Sequence, residues 1–204
     1  TTLVGQWDGF TTGLYADVYG DGNYAYICHF GHHVVDIIDI SNPAAPVKVS
    51  EIVPLPPNDT ASAQQVTVKN GMAFVALESN DNDGLLIVDV RNPLLPIIRT
   101  RVTVLPNFDD VHGMHFHDGL LYLANSRTPN IAVVDLRTYS LDAAPATITT
   151  ALAEFTYGSS FVHDINVAYF PSRNQSLLFG CGWNSGVGVF DVTNITTPGE
   201  VFLG

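Results

Sequence analysis

An all-β fold built from four copies of one unit is what the sequence predicts, on three observations. Tyr26-Ile27-Cys28, Phe74-Val75-Ala76, Tyr122-Leu123-Ala124 and Phe179-Gly180-Cys181 each precede a polar turn and an apolar run that stops on aspartate. Those aspartates, Asp39, Asp89, Asp135 and Asp191, are spaced 50, 46 and 56 residues apart, and the aromatic positions 48, 48 and 57. No segment carries a helical period. Short apolar strands and turns repeating at about 48 residues fit a four-stranded blade, so the expected architecture is a β-propeller of four such blades, complete or part of a larger ring.

The first strand of each copy is expected at Tyr15 to Gly20, Ala63 to Val68, Val111 to Phe116 and Val162 to Val167, with Val18, Val66, Met114 and Ile165 in one register. The second carries the aromatic and the small residue and follows a turn glycine such as Gly71 or Gly119. The third, Val34 to Ile40, Leu85 to Val90, Ile131 to Leu136 and Val187 to Val192, is nearly all Val, Ile and Leu, which implies burial on both faces. A turn follows, Ser41-Asn42-Pro43-Ala44-Ala45-Pro46 or Arg91-Asn92-Pro93-Leu94-Leu95-Pro96, whose prolines fix φ and cannot extend a ladder. The outer strand comes last, as in Val47 to Ile52 or Ile97 to Val102. The aspartate ending the third strand is expected to cap the turn through its side-chain oxygen; a ring of four functional carboxylates is the competing reading.

These boundaries give one domain over residues 1–204, with repeats at about 11–52, 59–102, 107–155 and 159–204. Residues 1–10, with Leu3-Val4-Gly5-Gln6-Trp7, resemble an extra outer strand. Four inner sets and five outer strands imply either a fragment of a ring of about six to eight blades or a strand that completes a blade in another subunit. Thr1 accordingly reads as a processed end or a cut inside a longer chain.

The motifs Leu86-Ile87-Val88-Asp89 with Asn92-Pro93 and Pro96, and Ile37-Ile38-Asp39-Ile40-Ser41-Asn42-Pro43, resemble the LVIVD repeat. The chain as a whole is similar to bacterial surface proteins of the choice-of-anchor B type. That resemblance implies a propeller on secreted or surface-anchored proteins and no established reaction. The third copy, Asp135-Leu136-Arg137-Thr138-Tyr139, lacks the Asn-Pro pair, and in the fourth Asn194 precedes Ile195.

Composition narrows the partners. Asp and Glu number 20 against 8 Lys and Arg, for a net charge of −12, and only Lys48 and Lys69 are lysines. Nucleic acid is excluded as a partner, because phosphate binding is driven by cationic contacts that release counterions. No apolar run is long enough to span a bilayer. A surface of Thr, Asn, Ser and Asp reads as extracellular, and Asn58, Asn174 and Asn194 head N-glycosylation sequons. Cys28 and Cys181 occupy the small position held by Ala76 and Ala124, which on different blades is too far apart for a disulfide, so both are expected as free, buried thiols.

Loops entering the first strands and joining second to third strands open on one face, around the channel. The first-strand side collects Ala16, Gln64, His112 and His163, then Asp17, Gln65, Gly113 and Asp164. The other side collects His29, His32 and His33, Asp81 and Asp83, Asn125 and Arg127, Trp183 and Asn184. His112 and His163, with Asp164, Asp110 and Gln64 nearby, could share a divalent transition metal; channel-lining histidines bonded to backbone or water are the alternative. Strand alternation puts His112 and Met114 on one side and His115 and His117 on the other. Ser79-Asn80-Asp81-Asn82-Asp83-Gly84 resembles the start of a calcium loop, but Val90 stands where the bidentate glutamate would be, and a hairpin turn explains it without an ion.

No nucleophile elbow, phosphate loop or dinucleotide fingerprint is present. Three functions compete: a non-catalytic extracellular module binding protein or glycan, a metal-assisted enzyme at the channel mouth, and a structural subunit of a filament that self-associates through outer strands.

Overall fold

The computed structural model describes residues 1–9, 13–30, 32–53, 61–78, 84–102, 110–143 and 148–203. Asn58, Asp81 and Asp83 lie outside the described residues. Among the described residues sixteen strands form four antiparallel sheets, each with its strands in sequence order. The first blade is β1 (Tyr15–Asp21), β2 (Tyr24–His29), β3 (Val34–Asp39) and β4 (Val47–Ile52). The second is β5 (Ser62–Lys69), β6 (Met72–Glu78), β7 (Leu85–Asp89) and β8 (Ile97–Val102). The third is β9 (Val111–His117), β10 (Leu120–Asn125), β11 (Asn130–Asp135) and β12 (Ala153–Thr156), and the fourth β13 (Val162–Phe170), β14 (Gln175–Gly182), β15 (Gly186–Asp191) and β16 (Gly199–Leu203). Among the described residues no helix is long and apolar enough to cross a membrane.

Local chemistry accounts for the turns. Asn70-Gly71 and Asp118-Gly119 have positive φ at both positions, 53° and 74°, then 49° and 74°, the backbone that joins two right-twisted strands in a two-residue hairpin. After the third strand, Asp39, Asp89, Asp135 and Asp191 each accept the N–H two residues on, from Ser41, Arg91, Arg137 and Thr193, at 2.8–3.1 Å. Asn42, Asn92 and Asn194 repeat the same bond one step later. The four aspartates are turn caps in the structure.

Among the described residues three apolar cores lie between consecutive blades, and each has the same two halves. Tyr26, Cys28 and Val35 meet Val66 between blades one and two; Phe74, Ala76 and Leu85 meet Met114 between two and three; Tyr122, Ala124 and Ile131 meet Ile165 between three and four. β1 packs on β5, β5 on β9 and β9 on β13. Among the described residues no apolar core joins the fourth blade to the first, so the blades form an open arc. The repeat register shows it directly. Val66, Met114 and Ile165 are 1%, 2% and 3% exposed, whereas Val18, in the same register of the first blade, is 62% exposed.

The open arc corrects one expectation. Both cysteines are free, but only Cys28 is buried; Cys181 is exposed, on the side of the fourth blade that no core among the described residues covers. Burial on both faces holds for β3, β7 and most of β11, and fails for β15 for the same reason. Residues 1–9 form no strand with this chain's own sheets. They run beside the first blade, Gly5 against Pro43 and Ala44 and Trp7 edge-on to Tyr15 at 6.4 Å.

Candidate functional site at the channel mouth

Each first strand departs from regular pairing at one place. The register skips between Tyr15 and Asp17, Ala63 and Gln65, Val111 and Gly113, and Val162 and Asp164. The extra residue of each β-bulge is Ala16, Gln64, His112 or His163. A bulge leaves its residue outside the ladder and bends the strand, which re-aims the side chain. The four bulged residues and their successors, Asp17, Gln65, Gly113 and Asp164, line one cavity of about 370 Å³ on the axis of the arc.

The bulge also corrects the parity argument for the histidines. Val111, Met114 and Phe116 all face the second blade, since the extra residue resets the alternation. His115 and His117 take the other face, where burial, then His117, hold His115 below the ordinary imidazole range. His112 belongs to neither face and points into the mouth.

There His112 and His163 meet, with ring centroids 4.6 Å apart at 54°. His112 Nδ1 lies 3.0 Å from Glu78 Oε2 of the preceding blade. His163 stacks on Trp183 at 5.2 Å and Trp183 stacks on Phe161 at 5.3 Å, so two imidazoles and two aromatic rings form one continuous cluster. Trp183 is 61% exposed. Its repeat equivalent Phe30 is 42% exposed although the second blade is in place beside it, so exposure at this position belongs to the channel face and not to the open end. Both residues are pinned by the same bond, an N–H donated to Leu14 O at 2.8 Å or to Phe161 O at 3.1 Å.

The other candidates fall elsewhere. Asp110 is buried in an ion pair with Arg127 at 2.7 Å and does not line the cavity. Asn125 accepts the N–H groups of Arg127 and Thr128 at 2.8 and 3.1 Å, which shapes the β10–β11 turn. His29 is buried, accepts the His32 N–H on Nδ1 at 3.0 Å and packs edge-on to Tyr15; burial and His32 hold it below the ordinary imidazole range. His33 Nδ1 lies 3.0 Å from Ala61 O, joining blades one and two. Asn174 and Asn194 sit exposed in turns. Among the described residues no group of three His, Cys, Asp or Glu is placed to hold a metal ion.

Glu78 and Phe161 were not among the expected site residues. Glu78 had a signal: two positions past the small residue of each second strand, the repeat places Phe30, Glu78, Ser126 and Trp183 in one ring around the channel.

A family model described as LVIVD repeat matches residues 13–52 and 61–104, the first two blades. Against curated proteins no sequence match is found. Among solved structures the chain is similar to the computationally designed Ika4 protein, with a TM-score of 0.62 at 8% identity over 94% of this chain and 98% of that one. It is similar to the β-propeller domain of Cps50 (Swd1) from Myceliophteria thermophila, with a TM-score of 0.63 at 11% identity over 93% of this chain and 58% of that one. A protein from Lactobacillus plantarum aligns with a TM-score of 0.65 at 14% identity, over 89% and 54%. The chain thus spans little more than half the length of the last two. At these identities the likeness is one of fold, a β-propeller, and the LVIVD-repeat match lies in the first two blades.

Proposed function

We propose that this chain is a non-catalytic binding module of a secreted or surface-anchored protein of the choice-of-anchor B type, and that its channel mouth holds a glycan. One observation carries the ligand class: the exposed Trp183, stacked on Phe161 and His163 beside a cavity lined by Gln64, Gln65, Asp17 and Asp164. A fixed aromatic face packs against the C–H face of a sugar ring, and carboxylate, amide and imidazole groups bond its hydroxyls. A net charge of −12 disfavours sulfated and uronic sugars, leaving neutral or amino-bearing ones. The polar Thr/Asn/Ser surface and the exposed sequons Asn174 and Asn194 support the extracellular setting.

Screening the chain on a glycan array, followed by calorimetry, tests this. Trp183→Ala should weaken a bound sugar by about tenfold or more, about 1.4 kcal/mol, with an unchanged melting temperature. Binding that ignores both Trp183→Ala and Gln64→Ala, or no glycan bound at all, overturns it. A second reading, acid–base or metal-assisted chemistry at the same mouth, draws support from the His112–Glu78 contact. It requires turnover of a bound ligand that Glu78→Gln abolishes.

A further inference from the structure

The channel mouth carries fixed charge of one sign. Asp17 and Asp164 line its cavity, and among the described residues no lysine or arginine does. Elsewhere this chain meets its carboxylates with its own cations: Asp36 with Lys48, Asp89 with Arg91, Asp110 with Arg127 and Asp135 with Arg137, all at 2.5–2.7 Å. For Asp17 and Asp164 the structure shows backbone partners instead. Asp17 Oδ2 accepts the Val66 N–H at 3.1 Å, and Asp164 Oδ1 accepts the Ile165 N–H at 2.8 Å.

Each of these ties holds a carboxylate by one oxygen and leaves the other for a partner in the cavity. Gln65 is held in the same manner, its side-chain oxygen accepting the Met114 N–H, so its amide N–H groups remain as donors. Acceptors and donors fixed beforehand cost a ligand little ordering. Asp164 also follows directly on His163, whose ring stacks on Trp183 at 5.2 Å. A carboxylate therefore stands next to the exposed aromatic platform. The face of an indole attracts a cation, and a hydrogen bond between charged groups is stronger than one between neutral groups.

Resting on the reading of this mouth as a glycan site, we propose that the sugar it selects bears a free amine, its ammonium bound by Asp164 and Asp17 while the ring lies on Trp183. The site itself stands on the aromatic platform and the cavity; the carboxylates decide which sugar enters. An ammonium donates three hydrogen bonds and accepts none, which suits two tethered carboxylates. Acetylation removes the charge and makes the amine an amide, so the N-acetyl form of the same sugar loses the charge-assisted bonds. Asp17 and Asp164 are then the residues that set specificity, and Gln65 donates to a hydroxyl. The net charge of −12 attracts the same class of ligand at longer range.

Calorimetry on glycan pairs that differ only in a free amine against an N-acetyl group, oligomers of glucosamine and of galactosamine with their acetylated forms, tests the proposal. The free-amine member should bind about tenfold more tightly, and added salt should shrink that gap because the mouth is open to solvent. The double variant Asp17→Asn with Asp164→Asn keeps an acceptor for Val66 and Ile165, and should bring the two members to within about twofold at an intact melting transition. Asp164→Asn alone, at an exposed side chain, should lower the preference by about threefold, a check that leaves the Asp17 tie untouched. Trp183→Ala should weaken both members alike. Equal or tighter binding of the N-acetyl member, or an amine preference that survives the double variant, overturns the inference. Neutral glycans bound in a Trp183-dependent way would leave the glycan reading standing while this one falls; if no glycan binds, both fall.

Discussion

The Asp17 carboxylate accepts the backbone N–H of Val66 at 3.1 Å, tying the first strand of one blade to the first strand of the next. Gln65 makes the same tie to Met114. At the third boundary the register holds Gly113, where a Cβ would lie 2.8 Å from the His163 carbonyl, and Asp164 instead caps its own neighbour Ile165 at 2.8 Å.

Removing the first tie should be felt locally. Asp17→Ala should lower stability by about 1 kcal/mol, since the carboxylate is only partly buried, while Asp17→Asn keeps an acceptor and should cost less. Urea midpoints of the two variants check the order. Gly113→Ala should cost about 1–3 kcal/mol, because the clash is with backbone that has little room to move.

Tyr157 decides the composition of the fourth blade. Its buried ring lies under Gly182 and Gly188, where added Cβ atoms would stand 2.9 and 2.3 Å from it, and its hydroxyl donates to the Gly186 carbonyl. Gly188→Ala should destabilise by about 1–3 kcal/mol by overpacking, and much of that cost should disappear when Tyr157 is already alanine. A double-mutant cycle by thermal melting that shows strict additivity contradicts the contact.

Core truncation should be costly at the blade boundaries. Phe74 is fully buried and stacked on Phe116 at 5.5 Å. Phe74→Ala should cost about 3–5 kcal/mol, read from chemical denaturation.

Stability should fall in two steps on acidification. His29 and His115 are held below the ordinary value of 6.5 by burial first. A base with a depressed pKa favours the fold while neutral, so its contribution is complete above 6.5 and fades as pH drops below it. Side-chain bonds to the turn likewise hold Asp39, Asp89 and Asp191 below the usual carboxylate range, and the Arg137 side chain holds Asp135 at about 2. Their contribution is complete above about 4 and fades toward pH 2. Melting temperature against pH should show both steps, with His115→Gln shrinking the first and Asp135→Asn the second.

Strand order and blade boundaries were legible in the sequence because Val18, Val66, Met114 and Ile165, and the four capping aspartates, repeat at nearly constant spacing. The bulges were not, since one inserted residue leaves the hydrophobic count intact while shifting what His112 faces. Cys181 was misjudged because its register position says which side of the blade it faces and not whether the described residues cover that side. Of the mouth, the bulged column was readable; the register also placed Glu78 on the channel ring, but not its partner, because only the opposing blade brings His112 to that carboxylate.

The bulges have a further consequence for how such a site changes over time. A residue outside the ladder and outside both packing faces can be exchanged without repacking a core. The four bulge positions hold Ala, Gln, His and His on one backbone shape. Selection for a new ligand can therefore rewrite these letters one at a time, with the blades themselves indifferent to the spelling.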